Sequence, residues 1–117
     1  MIHVPDVRAT ADWYASIGFG VVDIGKEDGR EDGEAVWALL ALGDGRVMLS
    51  AGGRPSTAER REIDLYIYTE DVEGVARRIR DRVRVVEDLH DTFYGTREFI
   101  IRDCNGFWIT FGQPIQR

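Results

Sequence analysis

Residues 63–79 read IDLYIYTEDVEGVARRI, and residues 1–17 read MIHVPDVRATADWYASI. In both stretches a short apolar segment precedes an aspartate, Asp71 or Asp6, whose side chain suits the N-cap of a helix. After Asp6, the side chains at helical spacing are Thr10, Trp13, Tyr14 and Ile17, and Gly18 is a plausible end of the helix. Behind Asp71, apolar residues recur with the spacing of an amphipathic helix: Val72, Val75, Ala76, Ile79 and Val83. The shared beginning indicates two copies of one structural unit.

Each beginning is followed by three strand patterns joined by glycine-bearing turns. In the first copy the strands cover 19–24, 35–42 and 47–51, with Gly43-Asp44-Gly45 as the hairpin turn. In the second copy they cover 83–86, 97–102 and 107–111, with residues 103–106 as the turn and a polar loop at 90–95. The pattern predicts an α+β fold of two tandem βαβββ modules. We expect one domain over 1–117, with module one at 1–51, a connector at 52–61 and module two at 62–117.

One helix per module covers one face of a four-stranded sheet and leaves the other face bare. A bare apolar face has to be covered by another layer or by a ligand. We therefore expect the two mixed sheets to curl into an open trough around a small-molecule cavity, with one helix on the outside of each.

Composition and charge exclude several classes of protein. The 117 residues suit a single globular domain, and no apolar run approaches the roughly 18 residues of a membrane span. Without a signal-peptide pattern, we expect a cytoplasmic protein that has no membrane partner. The net charge is −6 and the arginines are scattered among carboxylates, so we expect no nucleic-acid partner. The single cysteine, Cys104, can form neither an internal disulfide nor a zinc cluster with other cysteines.

Several motifs together resemble those of a known superfamily. They are the helix start Asp6-Val7 running through Thr10, Trp13 and Tyr14 to Gly18-Phe19, the stretch YGTREF at 94–99, Asp103, Gly106, and FGQ at 111–113. These motifs resemble the vicinal oxygen chelate superfamily, which contains glyoxalase I, bleomycin resistance proteins, fosfomycin resistance enzymes and extradiol dioxygenases. The block from Arg97 to Gln113 is most similar to the bleomycin-resistance-like branch.

The resemblance covers essentially the whole chain and implies the fold predicted above. It says little about activity, because one scaffold hosts several chemistries. It also implies a homodimer, since short two-module members of the superfamily usually complete their sheets or cavities across a twofold axis.

The positions that carry metal ligands in the superfamily hold few metal ligands here. The first of these positions falls before Met1, the fourth strand has no carboxylate, and Thr110 stands where a glutamate is typical. Only His3 and Asp64 are weak candidates, and a catalytic divalent metal needs about three protein donors. We therefore expect no metal and no cofactor, with a divalent metal as the alternative.

Strand parity predicts an aromatic wall on the bare face of the sheets. On the fifth strand, Asp64, Tyr66 and Tyr68 share one face, while Leu65 and Ile67 face the helix. The same count on the last strand places Trp108 and Thr110 on the bare face, and the resemblance implies a cavity aromatic at Tyr94. The candidate ligand-binding residues are Trp37, Met48, Asp64, Tyr66, Tyr68, Tyr94, Trp108 and Thr110. The alternative is that these side chains pack against the other module or a second subunit.

Aromatic faces with one carboxylate suit a planar or cationic ligand. The leading hypothesis is therefore a metal-free protein that sequesters an aromatic or cationic compound, similar to bleomycin resistance proteins. The first alternative is a divalent-metal-dependent, glyoxalase-like lyase or isomerase, or a dioxygenase. The second is a non-catalytic dimeric accessory domain whose trough is filled by its own side chains or by a partner.

The remaining reactive side chains are interpreted as structural. Glu98 is expected to belong to the strand framework and to pair with an arginine or a backbone group. His90 is expected in a solvated loop, and Cys104 in a turn. Helical spacing places Trp13 and Tyr14 in the core. No catalytic residue is predicted.

Overall fold

A computed structural model of the chain describes residues 1–26, 34–43, 45–55 and 64–115. The chain forms two compact units, Met1–Pro55 and Ser56–Arg117. The first contains β1 (Ile2–Val4), α1 (Val7–Ser16), β2 (Gly20–Lys26), β3 (Ala35–Leu42) and β4 (Gly45–Ala51). The second contains β5 (Asp64–Tyr68), α2 (Val72–Ile79), a 3₁₀ turn (Arg80–Arg82), β6 (Arg84–Asp91), β7 (Thr96–Arg102) and β8 (Trp108–Pro114). The predicted α+β fold of two tandem βαβββ modules is confirmed.

Each module builds one mixed four-stranded sheet. The strand order is β1-β4-β3-β2 in the first module and β5-β8-β7-β6 in the second. In both, the first strand pairs parallel to the last one and the other pairs are antiparallel. The helix that follows the first strand supplies the crossover that a parallel pair requires.

Both helices begin at the predicted aspartates. Asp6 Oδ1 accepts a hydrogen bond from the backbone N–H of Ala9 at 2.9 Å, and Asp71 Oδ1 accepts one from that of Gly74 at 3.0 Å. Each bond satisfies a backbone donor that lacks a partner within the helix. The longer helix has ten residues, and no helix in the described ranges is long and apolar enough to cross a membrane.

Each module has its hydrophobic core between the helix and one sheet face. In the first module, Tyr14 is buried and its ring meets that of Phe19 edge to face at 5.1 Å, whereas Trp13 is half-buried. In the second module, alternate residues of β7 and β8 are buried beneath α2, as period-two strands require: Phe99, Ile101, Ile109 and Phe111. The face predicted to lie under the helix on the last strand is therefore correct.

Several element boundaries differ from the prediction. Helix α2 ends at Ile79, so Val83 lies beyond the helix that its spacing had suggested. Strand β6 runs to Asp91, well past the predicted end at residue 86, which places His90 in a strand and not in a loop. Because β6 is an edge strand, its charged residues can point to solvent while its backbone pairs with β7. Asp44 and residues 56–61 of the predicted connector lie outside the described residues.

Candidate functional site

The register of the second sheet defines which side chains share a face. Tyr66 pairs with Thr110, Tyr68 pairs with Gly112, and Gly112 also pairs with Glu98. These residues lie on the face turned away from α2, which we call the open face. The predicted parity of Tyr66, Tyr68, Trp108 and Thr110 is correct, and Asp64 pairs with Trp108 in the same register.

Three hydroxyl groups donate hydrogen bonds to one carboxylate oxygen, Oε2 of Glu98. The Tyr66 hydroxyl donates to Glu98 Oε2 at 2.7 Å, and the Tyr94 hydroxyl donates to the same oxygen at 2.8 Å. The Thr96 hydroxyl donates at 3.2 Å. Glu98 is only 2% exposed, so these charge-assisted bonds replace the water that the carboxylate has lost. We call Tyr66, Tyr94, Thr96 and Glu98 the tyrosine–glutamate cluster.

Gly112 makes room for the ring that spans two strands. A Cβ at this position would lie 2.1 Å from the Tyr66 hydroxyl oxygen and 2.6 Å from its Cζ. The phenol of Tyr66 therefore lies directly over the backbone of β8 and reaches Glu98 on β7. A side chain at residue 112 is incompatible with this position of the ring.

Burial and hydrogen bonding determine the protonation states of the cluster. Burial raises the pKa of Glu98, but the hydrogen bonds from Tyr66, Tyr94 and Thr96 and the charge of His90 outweigh burial and leave that pKa below its usual value. Burial and the hydrogen bond to Glu98 raise the pKa of Tyr66 to about 12. The hydrogen bond to Glu98, followed by burial, raises the pKa of Tyr94. At neutral pH the cluster is one carboxylate held by two neutral phenols.

His90 lies beside the other oxygen of the same carboxylate. Its Nε2 is 3.9 Å from Glu98 Oε1 and 3.7 Å from Glu87 Oε1. Its Nδ1 is 2.8 Å from the carbonyl oxygen of Asp88, which can only accept, so Nδ1 carries a proton. The expectation of a solvated loop histidine is wrong, because β6 continues far enough to pair His90 with Glu98.

Four exposed aromatic rings form two pairs, and one tyrosine of each pair is hydrogen-bonded to the buried carboxylate of Glu98. The rings of Tyr66 and Tyr68 are 4.9 Å apart, and those of Phe93 and Tyr94 are 5.1 Å apart. The exposed fractions are 38% for Tyr66, 58% for Tyr94, 72% for Tyr68 and 98% for Phe93. Two exposed tyrosines, each with a neighbouring exposed ring, therefore lie next to a buried anion.

Two further candidates on this face are less accessible. Thr110 is fully buried, so its side chain offers no surface to a ligand. Trp108 is half-buried, and the guanidinium of Arg102 lies over its ring at 5.5 Å from the centroid. The accessible aromatic surface is formed by the tyrosines and Phe93.

In the first module, Trp37 and Met48 share the face turned away from α1. Trp37 on β3 pairs with Ser50 on β4. Leu39 and Met48, each two residues away on the same strands, also pair, so Trp37 and Met48 lie on the same face. A Cβ at Gly25 would lie 1.8 Å from Trp37 Nε1, so this ring also lies over a glycine of the neighbouring strand. Both candidate side chains are half-buried.

One cleft of the second module is lined by none of the cluster residues. A cleft of about 460 Å³ lies near the start of α2 and includes Asp71, Glu73, Arg97 and Gln113. Arg97 donates hydrogen bonds to Asp91 at 2.7 Å and to Glu73 at 2.6 Å, so two carboxylates already balance its charge. This cleft therefore presents no unbalanced charge from Arg97 to a ligand.

The residues that the structure describes do not fit a metal site. In those ranges no group of three or more histidine, cysteine, aspartate or glutamate side chains is placed to hold an ion. His3 Nδ1 lies 3.3 Å from the carbonyl oxygen of Ala51. The buried Glu98 directs one oxygen to three hydroxyl donors and not to other metal ligands.

The sequence interpretation of Glu98 was incomplete. An arginine or backbone partner was expected, but its partners are two tyrosines and a threonine. One signal was present: Tyr94, Thr96 and Glu98 alternate with period two, which favours placing them on one side of the chain. The contribution of Tyr66 could not be read in the same way, because it comes from a strand that does not pair with β7.

Comparison with known proteins identifies the family. The model of the Glyoxalase/Bleomycin resistance protein/Dioxygenase superfamily matches residues 1–111. The chain belongs to this superfamily. The resemblance seen in the motifs is thus confirmed. No curated protein sequence matches the chain significantly.

Solved structures of the superfamily fold superpose on nearly the whole chain. TioX from Micromonospora sp. ML1 has a TM-score of 0.77 and 22% identity, with 97% of this chain and 94% of TioX covered. A bleomycin-binding protein in complex with bleomycin has a TM-score of 0.73 and 17% identity, with 96% and 92% covered. The bleomycin resistance determinant of transposon Tn5 has a TM-score of 0.73 and 18% identity, with 97% and 92% covered. At these identities the likeness shows a shared fold.

Proposed function

We propose that the protein binds a small aromatic or cationic molecule without metal and sequesters it on the open face of module two. The observation that carries this proposal is a buried, ionised carboxylate that is hydrogen-bonded to two exposed tyrosines, each with a second exposed aromatic ring beside it. Aromatic rings supply contact area and stacking, and the carboxylate supplies a negative potential. One structure with this fold is a bleomycin-binding protein complexed with bleomycin, which supports ligand capture as the role of the scaffold.

The protonation states favour binding over acid–base catalysis. A general base works best when its pKa lies near the operating pH, but the pKa of Glu98 lies below its ordinary acidic value. A general acid has the same requirement, and the pKa of Tyr66 is about 12. Neither Glu98 nor Tyr66 therefore exchanges a proton readily at neutral pH, which favours a binding role for the cluster.

We also propose that the protein acts as a homodimer in the cytoplasm. The proposal of a dimer follows from the resemblance to short two-module members of the superfamily and from the prevalence of isologous dimers. Light scattering coupled to size-exclusion chromatography tests it directly. A monomer at micromolar concentration contradicts it.

The binding proposal is tested by a ligand screen joined to metal analysis. The purified protein is first analysed for bound metal, and a thermal-shift screen of aromatic and cationic compounds is then run with and without divalent ions. We expect hits whose stabilisation does not depend on divalent ions. Stoichiometric metal that survives dialysis and is needed for binding would overturn the metal-free proposal in favour of the glyoxalase-like alternative.

Variants show whether the hits bind at the aromatic surface. Tyr68→Ala removes a ring that is 72% exposed, so it should weaken binding about tenfold with little effect on folding. Val22→Ala, at an exposed apolar position of β2 in the other module, is the matched control. If both variants bind every hit as tightly as the unaltered protein, the ligand does not use this surface.

A further inference from the structure

We infer that the open face selects organic cations over neutral molecules of the same shape, and that Glu98 sets this selectivity through the two tyrosine rings it holds. This inference rests on the proposed function and narrows the class of ligand. Glu98 is in this view a positioning residue, because its carboxylate is 2% exposed and a ligand on the surface contacts the rings that cover it.

The geometry couples one negative charge to two ring faces. The hydroxyl groups of Tyr66 and Tyr94 both donate to Glu98 Oε2, at 2.7 and 2.8 Å. A hydroxyl that donates to a carboxylate is polarised, and hydrogen bonds in a chain polarise one another. The oxygen of each phenol gains negative charge and the π face of its ring becomes more electron-rich. A cation above either ring is attracted by this face and by the carboxylate behind it.

The charge of Glu98 is not neutralised by a basic side chain nearby. Within the described ranges, no arginine or lysine lies at ion-pair distance from Glu98, and the one basic side chain beside it is the imidazole of His90, whose Nε2 lies 3.9 Å from Oε1. His90 also faces Glu87, so two carboxylates share one imidazole. A buried charge is screened less by solvent than an exposed one. The surface above the cluster therefore has a negative potential to which an added cation is complementary.

The chemistry of the surface favours an organic cation over a metal ion. Calcium and magnesium need several oxygen ligands at short distance, whereas this surface consists of ring faces. The carboxylate oxygen that points to the tyrosines already accepts three hydrogen bonds. A quaternary ammonium group is weakly hydrated and binds aromatic faces without needing a free lone pair.

The test compares choline with 3,3-dimethylbutan-1-ol, its neutral isostere in which carbon replaces nitrogen. Dissociation constants are measured on the full chain by nuclear magnetic resonance titration. We expect choline to bind at least about tenfold more tightly than the alcohol, which matches a partly desolvated cation–π contact. Equal affinity of the two probes overturns the inference.

Substitutions assign the selectivity to Glu98. Glu98→Gln keeps the size and an acceptor for the hydroxyls but removes the charge, so we expect the choline preference to fall to about threefold or less. The affinity for the neutral alcohol should stay unchanged. Asp81→Asn removes one negative charge from an exposed residue of the turn after α2 and should keep the full preference. Equal losses in both variants would show a general charge effect and overturn the role of Glu98.

A second variant, Tyr66→Phe, tests the selectivity even if Glu98→Gln does not fold. Tyr66→Phe keeps the ring and removes its hydrogen bond to Glu98, so the choline preference should fall by a factor of about three. An unchanged preference overturns the coupling through the hydroxyl. If neither probe binds but an aromatic hit from the screen does, the selectivity is wrong and the proposed function stands. If no compound of any class binds, the proposed function itself fails.

Discussion

Replacing Gly112 by alanine tests whether the ring of Tyr66 is held across β8. The added Cβ would lie 2.1 Å from the tyrosine oxygen and 2.6 Å from Cζ, closer than nonbonded atoms approach. The phenol is the far end of a side chain that is 38% exposed, so we expect the ring to move while β8 keeps its position. The variant should then fold without the 2.7 Å hydrogen bond to Glu98.

The cost of Gly112→Ala follows from two opposing contributions. A hydrogen bond to a charged group contributes about 1.5–3 kcal/mol, and partial exposure of Tyr66 places it near the lower end. Alanine lowers the entropy of the unfolded chain and offsets about 0.4–1 kcal/mol of the loss. We expect a net loss of about 1 kcal/mol in the free energy of unfolding, or about 4 °C in Tm. The pKa of Tyr66 should fall from about 12 towards 10.0.

Two measurements check this outcome. Denaturant unfolding gives the change in stability, and the ultraviolet absorbance of phenolate during alkaline titration gives the tyrosine pKa values. The matched control is Gly20→Ala in β2, where the nearest atom to an added Cβ is the carbonyl oxygen of Ala41 at 3.9 Å. The control should be as stable as the unaltered protein or more so. If Gly112→Ala matches the control and its tyrosines titrate as before, the described position of Tyr66 is wrong.

Two further predictions concern the pH dependence of stability. The pKa of Glu98 is lowered in the folded protein, so its contribution to stability is present above the pKa of the unfolded carboxyl and is lost as pH falls through the folded pKa. In urea unfolding, Glu98→Gln should therefore lose less stability than the unaltered protein as pH is lowered. The same loss of stability in both proteins contradicts this. The folded pKa of Tyr66 is raised, so its contribution is present below pH 10.0 and is lost as pH rises towards about 12. The difference between a folded pKa of about 12 and the ordinary value of 10.0 corresponds to about 2.7 kcal/mol of stability. Because Tyr66 is 38% exposed, solvent screening reduces this contribution to about 1 kcal/mol. Tyr66→Phe should lose this alkaline dependence, and its persistence would assign the effect to another group.

Periodic and local signals in the sequence were sufficient for the fold. Asp6 and Asp71 each cap a helix by accepting a hydrogen bond from a backbone N–H three residues later. An interaction this local can be predicted from the sequence alone. The period-two alternation of β5 and β8 predicted the correct faces for Tyr66 and Trp108 because one face of each strand must lie under the helix. Repetition of the whole pattern then determined the number and order of elements.

The cluster could not be predicted because it depends on the register of three strands at once. Tyr66 reaches Glu98 only across β8, and this path is open only because residue 112 is glycine. The position of His90 depended on how far the edge strand β6 continues. Charged residues in that segment indicated a loop, although an edge strand tolerates the same residues.

In both modules an aromatic ring lies over a glycine, Trp37 over Gly25 and Tyr66 over Gly112. Each pair constrains the order in which substitutions can be accepted. A side chain introduced at the glycine displaces the ring unless the aromatic residue has already been replaced by a shorter one, such as leucine. Single-site mutagenesis of Gly25 or Gly112 should therefore yield few variants that keep the ring in place, while libraries that vary each glycine together with its aromatic partner include combinations that single changes at the glycine miss.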